Sequence, residues 1–118
     1  MSAGAHQKGS RWRHLVDEWF TEAGFVTHVR GIGWPGDDLL VLEVDNRTWV
    51  APLRMSVECK NHNQLTVASF VDQAVEQAHD YPELTLPVVV AHRRGRVSVD
   101  DAHVILPGWA FIELVTRK

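Results

Sequence analysis

The chain carries a single cysteine, Cys59, among its 118 residues. One thiol cannot close an intrachain disulfide, and it cannot supply a thiolate metal site. Long apolar runs are missing as well. Nothing approaches the roughly 18 uninterrupted apolar residues of a membrane-spanning helix, and the opening MSAGAHQKGSRWR lacks the apolar segment of a secretory leader. A cytoplasmic location with no membrane partner is therefore expected. Seven histidines are present, yet no two stand at the helical or loop spacing of a zinc site. Excess positive charge is lacking too. The formal net charge of −3 argues against a protein held to nucleic acid by bulk potential. Repeats and low-complexity linkers are absent.

What is present is an ordinary globular balance of 45% apolar and 23% charged residues. The length fits one domain, residues 1–118, with residues 1–9 expected to be flexible. From Ser10, a candidate N-cap, Leu15, Val16, Trp19, Phe20 and Ala23 recur at helical spacing until Gly24 stops them. Residues 25–30 (FVTHVR) and 38–45 (DLLVLEVD) read as strands, separated by the glycine-rich turn GIGWPG and followed by an Asn46-Arg47 turn. Residues 48–60 supply a third strand, broken by Pro52 and firmest from Arg54 to Lys60. Val67, Phe70, Val71, Ala74, Val75 and Ala78 mark an amphipathic helix that Tyr81-Pro82 ends. The continuous run PVVVAH (87–92) implies a strand buried on both faces. A basic turn around Gly95, a short strand over 103–106 and a last apolar element, WAFIELV, complete the chain. The order αβββαβ predicts an α/β fold, a mixed central sheet flanked by helices.

Several motifs invite functional readings. GIGWPG matches G-x-G-x-x-G, but Pro35 interrupts it and a β-rich run follows where a phosphate-binding helix would have to open. It reads as a turn. Asn61-His62-Asn63 superficially resembles a histidine nuclease motif, but no second histidine stands where a partner is expected, so His62 reads as a surface residue. Basic residues gather in Lys8, Arg11 and Arg13 and again in His92, Arg93, Arg94 and Arg96. Either group can be a solvated surface or a grip on phosphates.

The informative set is Asp38, Glu58 and Lys60. Alternate strand residues share a face, so Glu58 and Lys60 point together while Cys59 points away as a small buried residue. Asp38 opens the neighbouring strand. Two carboxylates on adjacent strand ends can hold Mg²⁺, a hard cation that keeps several of its waters. Such an ion lowers the pKa of bound water, and a lysine beside it orients that water and offsets developing charge. Glu-x-Lys alone is also a common cross-strand charge pair, so its surroundings must carry the reading.

Those surroundings resemble the PD-(D/E)XK nucleases, in particular the archaeal-type Holliday junction resolvases and their phage relatives. The likeness runs from KGSRWRHLVDEWFTEAGF through GDDLLVL and SVECKN to GWAFIEL. It implies a restriction-endonuclease-like core and Mg²⁺- (or Mn²⁺-) dependent hydrolysis of DNA phosphodiester bonds. It also implies a homodimer acting on branched DNA, in a bacterial host or encoded by a phage. The motif acids fall on Asp38, with Asp37 as an alternative, and on Glu58; the lysine falls on Lys60, and the backbone carbonyl of Cys59 is a further metal ligand. Gln77 and Tyr81 match a Gln-x-x-x-Tyr pattern that supports the site in RecB-like members. Lys8, Arg11, Arg13, Arg93, Arg94 and Arg96 would contact DNA. The family's first-helix glutamate is replaced by Arg13, which leaves Asp17 or Glu18 to stand in, a site with two carboxylates, or weakened activity. A restriction-like or single-strand nuclease and a non-catalytic DNA-binding or assembly protein are the competing readings.

Overall fold

The computed structural model describes residues 3–29, 37–43 and 52–117, with backbone alone at 3–10, 37 and 38. Its elements run α1 (Ala3–Glu22), β1 (Val26–Val29), β2 (Asp37–Leu42), β3 (Arg54–Lys60), α2 (Val67–Ala78), β4 (Leu86–Ala91), a 3-10 turn (Val99–Asp101), β5 (His103–Ile105) and α3 (Gly108–Thr116). The five strands form one sheet in sequence order. β3 and β4 are parallel and the other neighbours antiparallel, which makes the sheet mixed. Parallel neighbours need a crossover, and α2 provides it between β3 and β4.

Alternation along the strands builds two cores. Leu39, Val41, Met55, Val57, Cys59, Val88 and Val90 join Trp12, Val16 and Phe20 of α1 on one face. Val89 and Ala91 join Phe70 and Ala74 of α2 on the other. β4 is thus buried on both sides, which is why its sequence is an unbroken apolar run. Cys59 is buried, as its alternation predicts. Trp12 fixes the first core in place, because its buried indole N–H donates to the Val90 carbonyl at 3.1 Å.

α1 closes as Gly24 predicts. Gly24 adopts φ +99°, its N–H reaches the Thr21 carbonyl at 3.0 Å, and the Phe25 N–H reaches the Phe20 carbonyl at 3.1 Å. The rings of Phe20 and Phe25 then meet at 5.7 Å. This is the Schellman arrangement with its apolar contact.

Some expectations are corrected. α1 starts at Ala3, so Ser10 lies inside the helix rather than capping it, and residues 3–9 have helical backbone. Ala3, Ala5, Gln7 and Lys8 are good helix formers and carry the helix across Gly4 and Gly9. The apolar tail WAFIELV is a helix. β3 starts two residues beyond Pro52, in keeping with the donor that proline lacks. The Gly31–Gly36 turn, the Asn46-Arg47 turn and residues 48–51 of the expected third strand lie outside the described residues.

Candidate active site

The register of β2 on β3 sets Asp38 directly opposite Glu58, and Asp37 opposite Cys59. Directly opposed residues of an antiparallel pair lie on one face. Leu39 and Val41 belong to the α1 side, so position 38 falls on the α2 side with Glu58 and position 37 on the far side with Cys59. Between the two aspartates left open by the sequence, the register groups Asp38 with the glutamate.

Glu58 is 0% exposed and Lys60 8%. Lys60 Nζ stands 3.2 Å from Glu58 Oε2, donates to Gln73 Oε1 at 2.6 Å, and lies 5.2 Å from the centre of the Phe70 ring. Although the ion pair is close, neither Glu58 oxygen accepts a well-directed hydrogen bond among the described residues, and neither does the Ser56 hydroxyl two residues earlier. A buried carboxylate normally takes several such bonds. Its spare lone pairs suit a cation, and hard divalent ions favour such oxygens. Among the described residues no three His, Cys, Asp or Glu side chains converge as a metal cage; the Asp38 side chain is outside that set.

Gln73 escaped the sequence reading. It stands three residues after Phe70 and four before Gln77, on the stripe that α2 turns toward β3, and that spacing was the available signal. Gln77 is buried on the same stripe. Tyr81 is elsewhere: the Arg54 guanidinium lies 5.8 Å from its ring centre, at the opposite end of β3 from Lys60. Six strand residues place those ends about 20 Å apart, so Tyr81 stands by the Arg54 end of β3, away from Lys60.

The first-helix acids do not meet them either. α1 covers the other face of the sheet. Asp17 accepts from Thr21 Oγ1 at 3.3 Å and from Thr27 Oγ1, which ties it to β1. Glu18 pairs with His14 at 2.9 Å in the open. Neither replaces the missing glutamate, because the sheet stands between them and Glu58.

Lys60 ends β3 at the rim of a cleft of about 150 Å³ shared with His62, Phe70, His92, Arg93, Arg94 and His103. A turn closed by the Arg96 N–H on the Arg93 carbonyl at 3.0 Å, with Gly95 at φ +81°, presents the arginines there. Trp12 packs edge-on against His92 with centroids 4.7 Å apart, so Arg11 and Arg13, its neighbours on α1, lie toward the same end of the molecule. Lys8 is described by its helical backbone alone. No family model, characterised protein or solved structure matches the chain.

Proposed function

We propose that the chain is a metal-dependent endonuclease that hydrolyses DNA phosphodiester bonds, with a restriction-endonuclease-like core and branched DNA such as a four-way junction as substrate. The observation that carries this reading is the register: Asp38 faces Glu58 across β2 and β3, with Lys60 two residues along the same face. Two acids and a lysine so placed are what phosphodiester hydrolysis with Mg²⁺ or Mn²⁺ asks for.

Asp38, Glu58 and the Cys59 carbonyl would hold the ion, and the spare acceptor capacity of Glu58 fits that role. The ion, when bound, supplies charge neutralisation at the scissile phosphate and acidity to the attacking water. Lys60 has three N–H donors. One goes to Gln73 and one faces Glu58, so a third can orient the water or touch a phosphate oxygen. Arg93, Arg94 and Arg96 are exposed beside it and would contact neighbouring phosphates, as would Arg11, Arg13 and Lys8.

A homodimer belongs to this reading. α3 leaves Trp109, Phe111, Ile112 and Val115 about half exposed, with Glu113 the only charged residue of the helix. A second copy of that face would cover it without burying unlike chemistry.

One observation favours a different class, a DNA-binding protein that keeps the fold without the chemistry: Glu58 is sealed beneath α2 and α1 contributes no acid. Titration calorimetry with Mg²⁺ and Mn²⁺ separates the two, since the non-catalytic reading expects no metal-dependent heat. Cleavage of four-way junction, flap, single-stranded and linear duplex DNA, with and without Mg²⁺, tests the nuclease and its substrate together. Metal-dependent cutting that favours the junction is expected, and Ala at Asp38, Glu58 or Lys60 should abolish it.

A further inference from the structure

Two cavities stand out, and their charges differ. The larger, about 520 Å³, is bordered by Glu43, Glu83 and Glu113 as well as Arg54 and Arg117, and both arginines are already committed. Arg54 pairs with Glu83 at 3.4 Å and Arg117 with Glu43 at 2.9 Å. The smaller, at the carboxyl ends of β3 and β4, is lined by Lys60, Arg93, Arg94 and three histidines, with no carboxylate among its described lining residues. Glu58 stands behind Lys60, not in the cleft.

We infer that this smaller cleft seats one phosphate group of a nucleic-acid strand, with His62 and His103 as direct ligands beside Lys60, Arg93 and Arg94. The inference rests on the nucleic-acid reading above and adds two residues that it does not use. Size is the first argument. About 150 Å³ is the share of roughly five liquid waters, which is room enough for a tetrahedral phosphate. The second argument is how the donors are fixed. The His62 ring packs at 5.1 Å on Phe70, the same ring over which Lys60 Nζ stands at 5.2 Å. One aromatic side chain therefore positions both donors. His103 begins β5, paired with Ala91 of β4, so a sheet edge rather than a loop holds it. Neutral imidazole brings one N–H donor and its charged form two, and the arginines bring planar forks suited to phosphate oxygens. A continuous backbone phosphate and a terminal phosphate share this chemistry.

The test is titration calorimetry on the full chain without metal, using inorganic phosphate and a thymidine dinucleotide with or without a 5′-phosphate. Wild-type protein is expected to bind phosphate, and the His62→Ala/His103→Ala double variant to bind it about tenfold more weakly, the size of two lost hydrogen bonds. Both residues are exposed, so the variant should keep the wild-type unfolding midpoint. Arg117→Gln, at the other cavity, should leave phosphate affinity unchanged. Tighter binding of the 5′-phosphorylated dinucleotide identifies a terminal phosphate, and equal binding an internal one. Absence of phosphate binding by the wild type, or equal affinity in the double variant, would overturn the inference. Phosphate binding without junction cleavage would remove the nuclease and leave this site standing; cleavage without phosphate binding would do the reverse.

Discussion

Glu58 and Lys60 sit where the fold gains little from them. Taking an ion pair out of water costs several kcal/mol per ion, and mutual attraction repays that only with full hydrogen bonding, which Glu58 lacks among the described residues. A pair kept under such terms points to use rather than to stability. Removing one partner leaves a buried uncompensated charge. Lys60→Met alone is accordingly expected to cost about 3–5 kcal/mol in urea unfolding, and Glu58→Met/Lys60→Met together to be near neutral or stabilising. A double variant as unstable as the single one would show the pair to be structural. At this scale the sequence told a good deal. Strand alternation put Glu58 and Lys60 on one face and Cys59 on the other, as the structure has them. Gln73 was missed because a polar residue on a helix flank has no motif, and only its 2.6 Å bond to Lys60 distinguishes it. His62 was set aside because no second histidine stands near it in the sequence; the cleft it shares with His103 is assembled from distant strands.

The helix α1 shows what local chemistry can and cannot announce. Its C-terminus was legible because only glycine takes φ +99° without penalty, and the structure has open space around that position. Gly24→Ala should therefore cost about 1–2 kcal/mol from backbone strain alone, read as a lower urea midpoint with an unchanged m-value. Its N-terminus was misplaced, since Ser10 has the chemistry of a cap but the helix already runs from Ala3 and passes through it. α3 was the least legible element. A short apolar run does not reveal its period, and what holds α3 in place is far away. Arg117 donates to both oxygens of Glu43, at 2.9 and 3.2 Å, and Glu43 Oε1 also accepts the Leu53 N–H at 3.0 Å. The Arg117 bond first, and the Leu53 N–H second, hold the Glu43 carboxyl below its ordinary value of 4.5. A lowered carboxyl stabilises the fold above its unfolded-state value and loses that contribution as pH falls through the folded one. The pair is partly exposed, which keeps the effect small. Wild type and Arg117→Gln should differ slightly in unfolding midpoint at neutral pH and converge below about pH 4.5. A difference that persists in acid would rule out this linkage.

Across the whole molecule, a mixed sheet flanked by helices followed from the order of elements, and the structure has five strands in it. Strand neighbours and register did not, because which strand pairs with which depends on the crossover through α2 and on two cores assembled from distant residues. Register is also what groups the separate motifs: it puts position 38, rather than 37, on the face of Glu58. The apolar side of α3 raises a separate question of assembly. Sedimentation should show a dimer that Ile112→Lys, on an exposed side chain, converts to monomer with no change in fold. A wild-type chain that sediments as a monomer at all accessible concentrations would remove the dimer from the account. No helix among the described residues is long and apolar enough to cross a membrane. The nuclease itself is tested most directly by Mg²⁺-dependent cleavage of a synthetic four-way junction, comparing wild type with Asp38→Asn and Asp37→Asn. Cleavage by wild type and Asp37→Asn, with loss of at least about a hundredfold, or some 2.7 kcal/mol of barrier, in Asp38→Asn, is the predicted result. Asp38→Asn protein that cuts as fast as wild type, or a wild-type chain that cuts no DNA with Mg²⁺ or Mn²⁺, would contradict it.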